Sequence, residues 1–158
     1  MKKILTFLLL IVIVVSTSWA YRLLKPEWIS FREAEQLYEK KEFAKAIPLY
    51  KYAIQKGLEK PGAVFHLAES LYITGKLSDA LPVYVEYVRE NPLHIQAVST
   101  LGDIYLRIGM AGKAIGTYMT ILNTNPGDRL SRIILARALT QAKRFDEAAS
   151  EYRKVLGD

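Results

Sequence analysis

The sequence contains no cysteine and only two histidines, His66 and His94. The first absence excludes a disulfide framework, a thiolate nucleophile and a cysteine-ligated metal. The second leaves too few imidazoles for a metal site of ordinary spacing or a histidine-based triad. A glycine-rich phosphate loop is also missing, because Gly109, Gly112 and Gly116 are dispersed and no Gly-Lys-Ser/Thr ending follows them. The acids Glu33 and Glu35, and Glu69 with Asp103, read as solvated helix faces and not as acid–base pairs. Charge of one sign is never massed. Lys+Arg 22 against Asp+Glu 16 gives +6, but the basic residues come singly or in pairs such as Lys40-Lys41, interspersed with acids. Nucleic-acid binding would want a clustered basic stripe, so none is expected. Strand-type alternation is absent as well. The sequence therefore predicts no enzyme, no cofactor and no metal.

What is present is a period. Ala46, Ala80, Ala114 and Ala148 recur every 34 residues. Each is followed four residues later by Tyr50, Tyr84, Tyr118 or Tyr152, and preceded twelve residues earlier by Ala34, Ala68, Gly102 or Ala136. An internal period of this size signals a solenoid, in which no unit buries its own apolar face and each needs its neighbours. At 158 residues and 51% hydrophobic content the chain is long enough for one continuous core.

Within each period two amphipathic faces at three- and four-residue spacing predict a helix pair. In the first unit these are Phe31, Ala34, Leu37, Tyr38 and then Phe43, Ala46, Ile47, Tyr50. Corners fall at Lys40-Lys41-Glu42, Gly75-Lys76, Gly109 and Lys143-Arg144, and Asn91-Pro92 and Asn125-Pro126 end the second helices. Pro26 to Trp28 reads as a short connection. Pro48 and Pro82 are expected to loosen the first turn of their helices without breaking them. Close packing explains the columns: helices approach where small residues face each other, and the tyrosine fills the wedge between successive units.

These columns resemble the tetratricopeptide repeat family. The third unit matches its signature best, with Leu101-Gly102-x2-Tyr105, Ala114-x3-Tyr118 and Pro126, whereas the first has Glu33-Ala34 for Leu-Gly and no closing proline at Leu58. The resemblance implies an all-α fold, an α-solenoid of four 34-residue helix–turn–helix repeats over residues 26–158, with units of about 27–60, 61–94, 95–128 and 129–158. It also implies a non-enzymatic adaptor whose concave groove, lined by the first helix of each unit, binds a protein or peptide segment. The groove candidates are Trp28, Phe31, Glu35 and Tyr38, then Phe65, His66, Glu69 and Tyr72, then Ser99, Asp103 and Arg107, and last Ile133, Arg137 and Gln141. That surface is aromatic and acidic early and more basic late. Alternatively Phe31, Tyr38, Phe65 and Tyr72 serve packing between helices. A carboxylate clamp of lysine and asparagine is not expected, because Phe31 and Glu35 stand at its first positions. The last helix leaves an open face, either blunted by Lys143, Arg144, Glu151 and Arg153 or available for self-association, which makes a homo-oligomer the alternative function.

Before the repeats, Lys2-Lys3 precedes Ile4 to Val15, in which only Thr6 is polar, and no charge occurs until Arg22. Residues 1–25 therefore read as an N-terminal hydrophobic helix, with two alternatives. Ser18-Trp19-Ala20 suits a signal peptide cleaved before Tyr21, while the uncharged stretch flanked by Trp19 and Tyr21 suits a retained membrane anchor. Both place the repeats on the extracytoplasmic side, in a periplasm or its equivalent, and suggest a role in envelope assembly or secretion.

Overall fold

The computed structural model describes Ile4 and residues 25–157. Among these residues there are eight α-helices and no strand: α1 Pro26–Glu39, α2 Phe43–Gln55, α3 Pro61–Ile73, α4 Leu77–Glu90, α5 Ile95–Arg107, α6 Ala111–Thr124, α7 Arg129–Gln141 and α8 Phe145–Leu156. The proposed leader, residues 1–25, lies almost wholly outside the described residues. No helix among the described residues is long and apolar enough to cross a membrane.

The first helix begins earlier than the sequence suggests. Pro26 is not a connection but the first residue of α1, where its missing N–H costs nothing and its fixed φ suits the helix. At the far end of each first helix the chain turns through the same device. Lys41, Gly75, Gly109 and Lys143, again 34 apart, all have positive φ of 60 to 79°. The amide of that residue and the amide after it bond back in each case, as in Lys41 N–H to Tyr38 C=O and Glu42 N–H to Leu37 C=O. This is the Schellman closure, which satisfies carbonyls the helix leaves orphaned. Two corners thus hold lysine in a conformation that favours glycine. The first unit, lacking Asn-Pro, ends α2 with Gly57 at φ 89° and its own pair of return bonds, to Ile54 and Ala53.

Pro48 and Pro82 differ from expectation in place but not in effect. Each is the sixth residue of its helix, beyond the first turn, and α2 and α4 run through unbroken. The carbonyls of Ala44 and Ser78, which lose a donor, belong to exposed residues, where water substitutes.

Contacts divide the chain into two compact units, Met1–Ser70 and Leu71–Asp158, the division falling inside α3. In the first, α1 packs on α2; in the second, α4 packs on α5, α5 on α6, α6 on α7 and α7 on α8. The periodic columns form the core of both. Ala34, Ala46, Ala68, Ala80, Ala114 and Ala136 are wholly inaccessible, and so are Tyr50 and Tyr118, while Tyr152 on α8 remains 39% exposed. The tyrosine does more than fill a wedge between units. A Cβ on Gly102 would lie 2.7 Å from Tyr118 Cε2, so the ring of the second helix rests on the small residue of its own first helix. Tyr118 also donates to the Ser99 carbonyl at 3.0 Å. The small-residue column therefore clears space for an aromatic ring as well as for a facing alanine.

Candidate functional site

The groove candidates fall on the first helices of the repeats, and each compact unit holds its own set. In the first unit, α1 supplies Trp28, Phe31, Glu35 and Tyr38, and α3 supplies Phe65, His66 and Glu69, all half-buried. The polar groups of Glu35, Tyr38, His66 and Glu69 are already engaged. Glu35 accepts from Tyr50 at 2.5 Å and lies 2.7 Å from His66 Nδ1, and Tyr38 donates to Glu69. The His66 ring stacks on Tyr38 with centroids 4.2 Å apart. Trp28 and Phe31 meet edge to face at 6.1 Å, and Phe31 reaches Tyr50 at 6.3 Å. Lys60 Nζ lies over both Trp28 and Phe31, at 4.6 and 5.0 Å, a cation–π contact that sequence spacing does not reveal. Burial, and then the bonded carboxylates, push the Tyr38 and Tyr50 hydroxyls far above the ordinary tyrosine value. This end of the candidate groove is thus a self-satisfied polar and aromatic cluster. The packing alternative describes Phe31 and Tyr38 well, since both join neighbouring helices.

In the second unit the same relation appears once and then stops. Tyr72 donates to Asp103 at 2.8 Å, across 31 residues, as Tyr38 does to Glu69. Burial and then Asp103 raise the Tyr72 hydroxyl, and burial takes Tyr118 up to about 12 against the opposing bond to Ser99. One period later the donor position holds Leu106 and the acid position holds Arg137. No hydroxyl–carboxylate bond can form there, and Gln141 Nε2 donates to the Leu106 carbonyl at 3.2 Å instead. The result is an open cleft of about 270 Å³ lined by Asp103, Leu106, Arg107, Arg137 and Gln141. Arg107 is loosely paired with Asp103 at 3.9 Å and sits 5.6 Å from the Tyr72 ring. Arg137 is exposed and has no hydrogen bond or ion pair among the described residues. Ser99, half-buried, offers its carbonyl to Tyr118 and not to the cleft, and Ile133 is half-buried on α7.

Among the described residues no three acids or histidines converge as a metal site would require. His94 stands at the N-cap of α5 with Nδ1 2.8 Å from the Tyr87 hydroxyl, a contact between neighbouring helices.

The repeat geometry now stands beside known proteins. The sequence model of the family described as Tetratricopeptide repeat matches residues 31–95 and 99–158. This chain belongs to the tetratricopeptide repeat family. Among solved structures it resembles MamA of strain AMB-1, at 15% identity and TM-score 0.77, over 83% of this chain and 72% of that one. It also resembles MamA, residues 41 to the end, from Desulfovibrio magneticus RS-1, at 18% identity and TM-score 0.71, over 84% and 75%. A third is YrrB, described as a TPR protein with an unusual peptide-binding site, at 16% identity and TM-score 0.76, over 83% and 68%. At these identities the likeness shows the shared fold. No curated protein sequence gives a significant match. A tetratricopeptide fold is consistent with a protein–protein interaction scaffold, and in this member Arg137 on α7 is the groove candidate whose charge has no hydrogen bond or ion pair among the described residues.

Proposed function

We propose that this tetratricopeptide protein is a non-enzymatic adaptor that captures an acidic segment of a partner protein in the cleft between α5 and α7. The observation that carries the proposal is the change of sign along one column: Glu35, Glu69 and Asp103 each accept hydrogen bonds, but Arg137 has no acceptor. An unpaired guanidinium beside a weakly held Arg107 presents planar donors suited to carboxylates. Asp103 is already bonded to Tyr72, so the cleft favours an anion. Apolar anchors of the same segment find Leu106 in the lining. YrrB, with its reported peptide-binding site, supports peptide recognition as a use of this fold.

The adaptor acts on the extracytoplasmic side, held or delivered by residues 1–25. Support for this comes from Lys2-Lys3 before the uncharged stretch, in keeping with the positive-inside tendency. Envelope assembly or secretion is the setting such a topology suits.

The test uses labelled ten-residue acidic, neutral and basic peptides with the wild type and with Arg107→Glu/Arg137→Glu. The acidic set should bind the wild type, more weakly as salt rises, and lose at least about tenfold, or 1.4 kcal/mol, in the double variant. Equal binding of basic peptides, or a double variant with unchanged affinity and helicity, refutes the proposal.

A second function is favoured by one observation on α8. Phe145 at 63%, Tyr152 at 39% and Leu156 at 77% exposure share one helical face. Pairing of two copies through that face makes the protein a self-assembly module. Light scattering discriminates: a strict monomer at high concentration eliminates it.

A further inference from the structure

A second apolar surface lies in the first compact unit, away from the side chains of the Glu35 and His66 cluster. Pro26, Ile29 and Ser30 at the start of α1, with Pro48, Leu49 and Tyr52 on α2, enclose a shallow hollow of about 410 Å³. Ile29 is 45% and Tyr52 39% exposed, and Pro26 and Pro48 are exposed too. None of these six residues carries charge. The proline at Pro48 interrupts the usual polar outer face of a helix without breaking it. Helix α1 brings both signs of charge, with Glu27 paired to Lys25 and Glu33 one turn after Ile29, and Glu42 before α2 is paired with Lys45, so the basic excess lies on α2 and just beyond it. Helix α2 has Lys45 and Lys51 and no acid, and Lys56 beyond its end lies 5.7 Å from the Tyr52 ring centroid. An aromatic with a lysine above it, beside exposed aliphatic groups, is the composition that settles at a bilayer interface.

Chain length supplies the second argument. The last uncharged residue of the N-terminal stretch is Tyr21, and α1 begins at Pro26. Five peptide steps reach at most about 18 Å. If Tyr21 ends an anchor at the membrane surface, the first turn of α1, which carries Ile29, is tethered within that distance of the lipid headgroups. We infer that this hollow is a membrane-apposed surface, which rests the first repeat on a bilayer containing anionic lipid, with Ile29 and Tyr52 entering the interface and Lys51 and Lys56 meeting lipid phosphates. The inference rests on the anchor reading of residues 1–25. Its consequence is orientation: the first repeat is seated on the bilayer at a fixed angle instead of swinging from its tether.

Because the chain lacks cysteine, single cysteines can be introduced and spin-labelled without background. The full, uncleaved chain is reconstituted into vesicles of phosphatidylcholine and phosphatidylglycerol, with one label per sample at Leu10→Cys, Tyr52→Cys or the exposed Ser78→Cys. Collision with oxygen and with an aqueous nickel complex reports depth. The expected result is Leu10 deep in hydrocarbon, Ser78 in water and Tyr52 about 5–10 Å into the headgroup boundary. Leu10 deep with Tyr52 as wet as Ser78 overturns the inference and leaves the anchor standing. Leu10 in water overturns the anchor and the inference with it. Shielding of Tyr52 accompanied by spin–spin broadening between copies assigns the hollow to self-contact and likewise overturns it. Helical content measured on each labelled sample confirms that the comparison is between folded chains.

Discussion

Replacing Gly102 by alanine puts two local principles in opposition. The other three units carry alanine in this column, at Ala34, Ala68 and Ala136, so period alone makes the change look harmless. Helix propensity even favours it, by about 1 kcal/mol for glycine to alanine inside a helix. The structure says otherwise. A Cβ on Gly102 would meet Tyr118 Cε2 at 2.7 Å, Cζ at 2.9 Å and the hydroxyl at 3.2 Å. Tyr118 is wholly inaccessible, and its hydroxyl is bonded to the Ser99 carbonyl at 3.0 Å, so the ring can yield only by disturbing the core and that bond. Overpacking of this kind costs about 1–3 kcal/mol. The net expectation is a loss of about 1 kcal/mol, or a drop in Tm of about 3 °C for a chain of this size. Thermal unfolding followed by circular dichroism measures it. Tyr118→Leu provides the control: once the ring is gone, Gly102→Ala should become stabilising by about 1 kcal/mol, its propensity gain alone. An increase in Tm for Gly102→Ala in the wild-type background refutes the reasoning, as does strict additivity of the two changes.

The corner lysines give a prediction of opposite sign: Lys41→Gly and Lys143→Gly should each stabilise by about 1 kcal/mol, because both residues hold φ near 60°. Denaturant midpoints check this, and a loss of stability for both would show that the lysine side chains matter more than the backbone. Alkaline pH should unfold the protein through its buried tyrosines. Their hydroxyls titrate above 10.0 when folded, about 12 for Tyr118, so their contribution is fully present below pH 10 and disappears as pH rises through the folded values. Tyrosinate absorbance should therefore appear together with loss of helicity, and full ionisation with helices intact would contradict it. On α8, burial opposes the Glu151 carboxylate, but hydrogen bonds from Lys154 and Arg132 outweigh it and lower its pKa. That contribution is present above the unfolded carboxylate value and is lost as pH falls through the folded one. Arg132, which bridges α7 to Glu151 at 2.7 Å with both side chains largely buried, should cost about 1–2 kcal/mol when changed to methionine, and the variant's stability should fall less on acidification than the wild type's.

How much of this was legible in the residues depends on whether a feature repeats. The alanine and tyrosine columns named the helix pairs correctly because burial imposes the same residue at the same step. The corners were legible at Gly75 and Gly109, and the period extends them to Lys41 and Lys143, where residue type alone would not suggest positive φ. The start of α1 is not legible from Pro26 as a breaker, because at a first helical position proline is favourable. Leu58 stands where the later units have proline, yet Gly57 closes that helix unaided, with φ 89°. For the groove candidates, composition places acids on the early first helices and Arg107 and Arg137 on the later ones. It could not show that Glu35, Glu69 and Asp103 are already hydrogen-bonded, since that follows from tyrosines brought close by folding. The 31-residue step from Tyr38 to Glu69 and from Tyr72 to Asp103 was the available signal, and its failure at Leu106 and Arg137 marks the open cleft.

Capture of an acidic partner segment in the cleft between α5 and α7 is open to site-specific photocrosslinking in native membranes. A photoreactive residue is placed at Gln141, which lines the cleft, or at Pro82, an exposed residue of α4 outside it. A partner adduct is expected from position 141, mapping to an acidic segment, and it should disappear when Arg107→Glu/Arg137→Glu is added. A partner adduct from position 82 with none from position 141, or one from 141 that survives charge reversal, would contradict it.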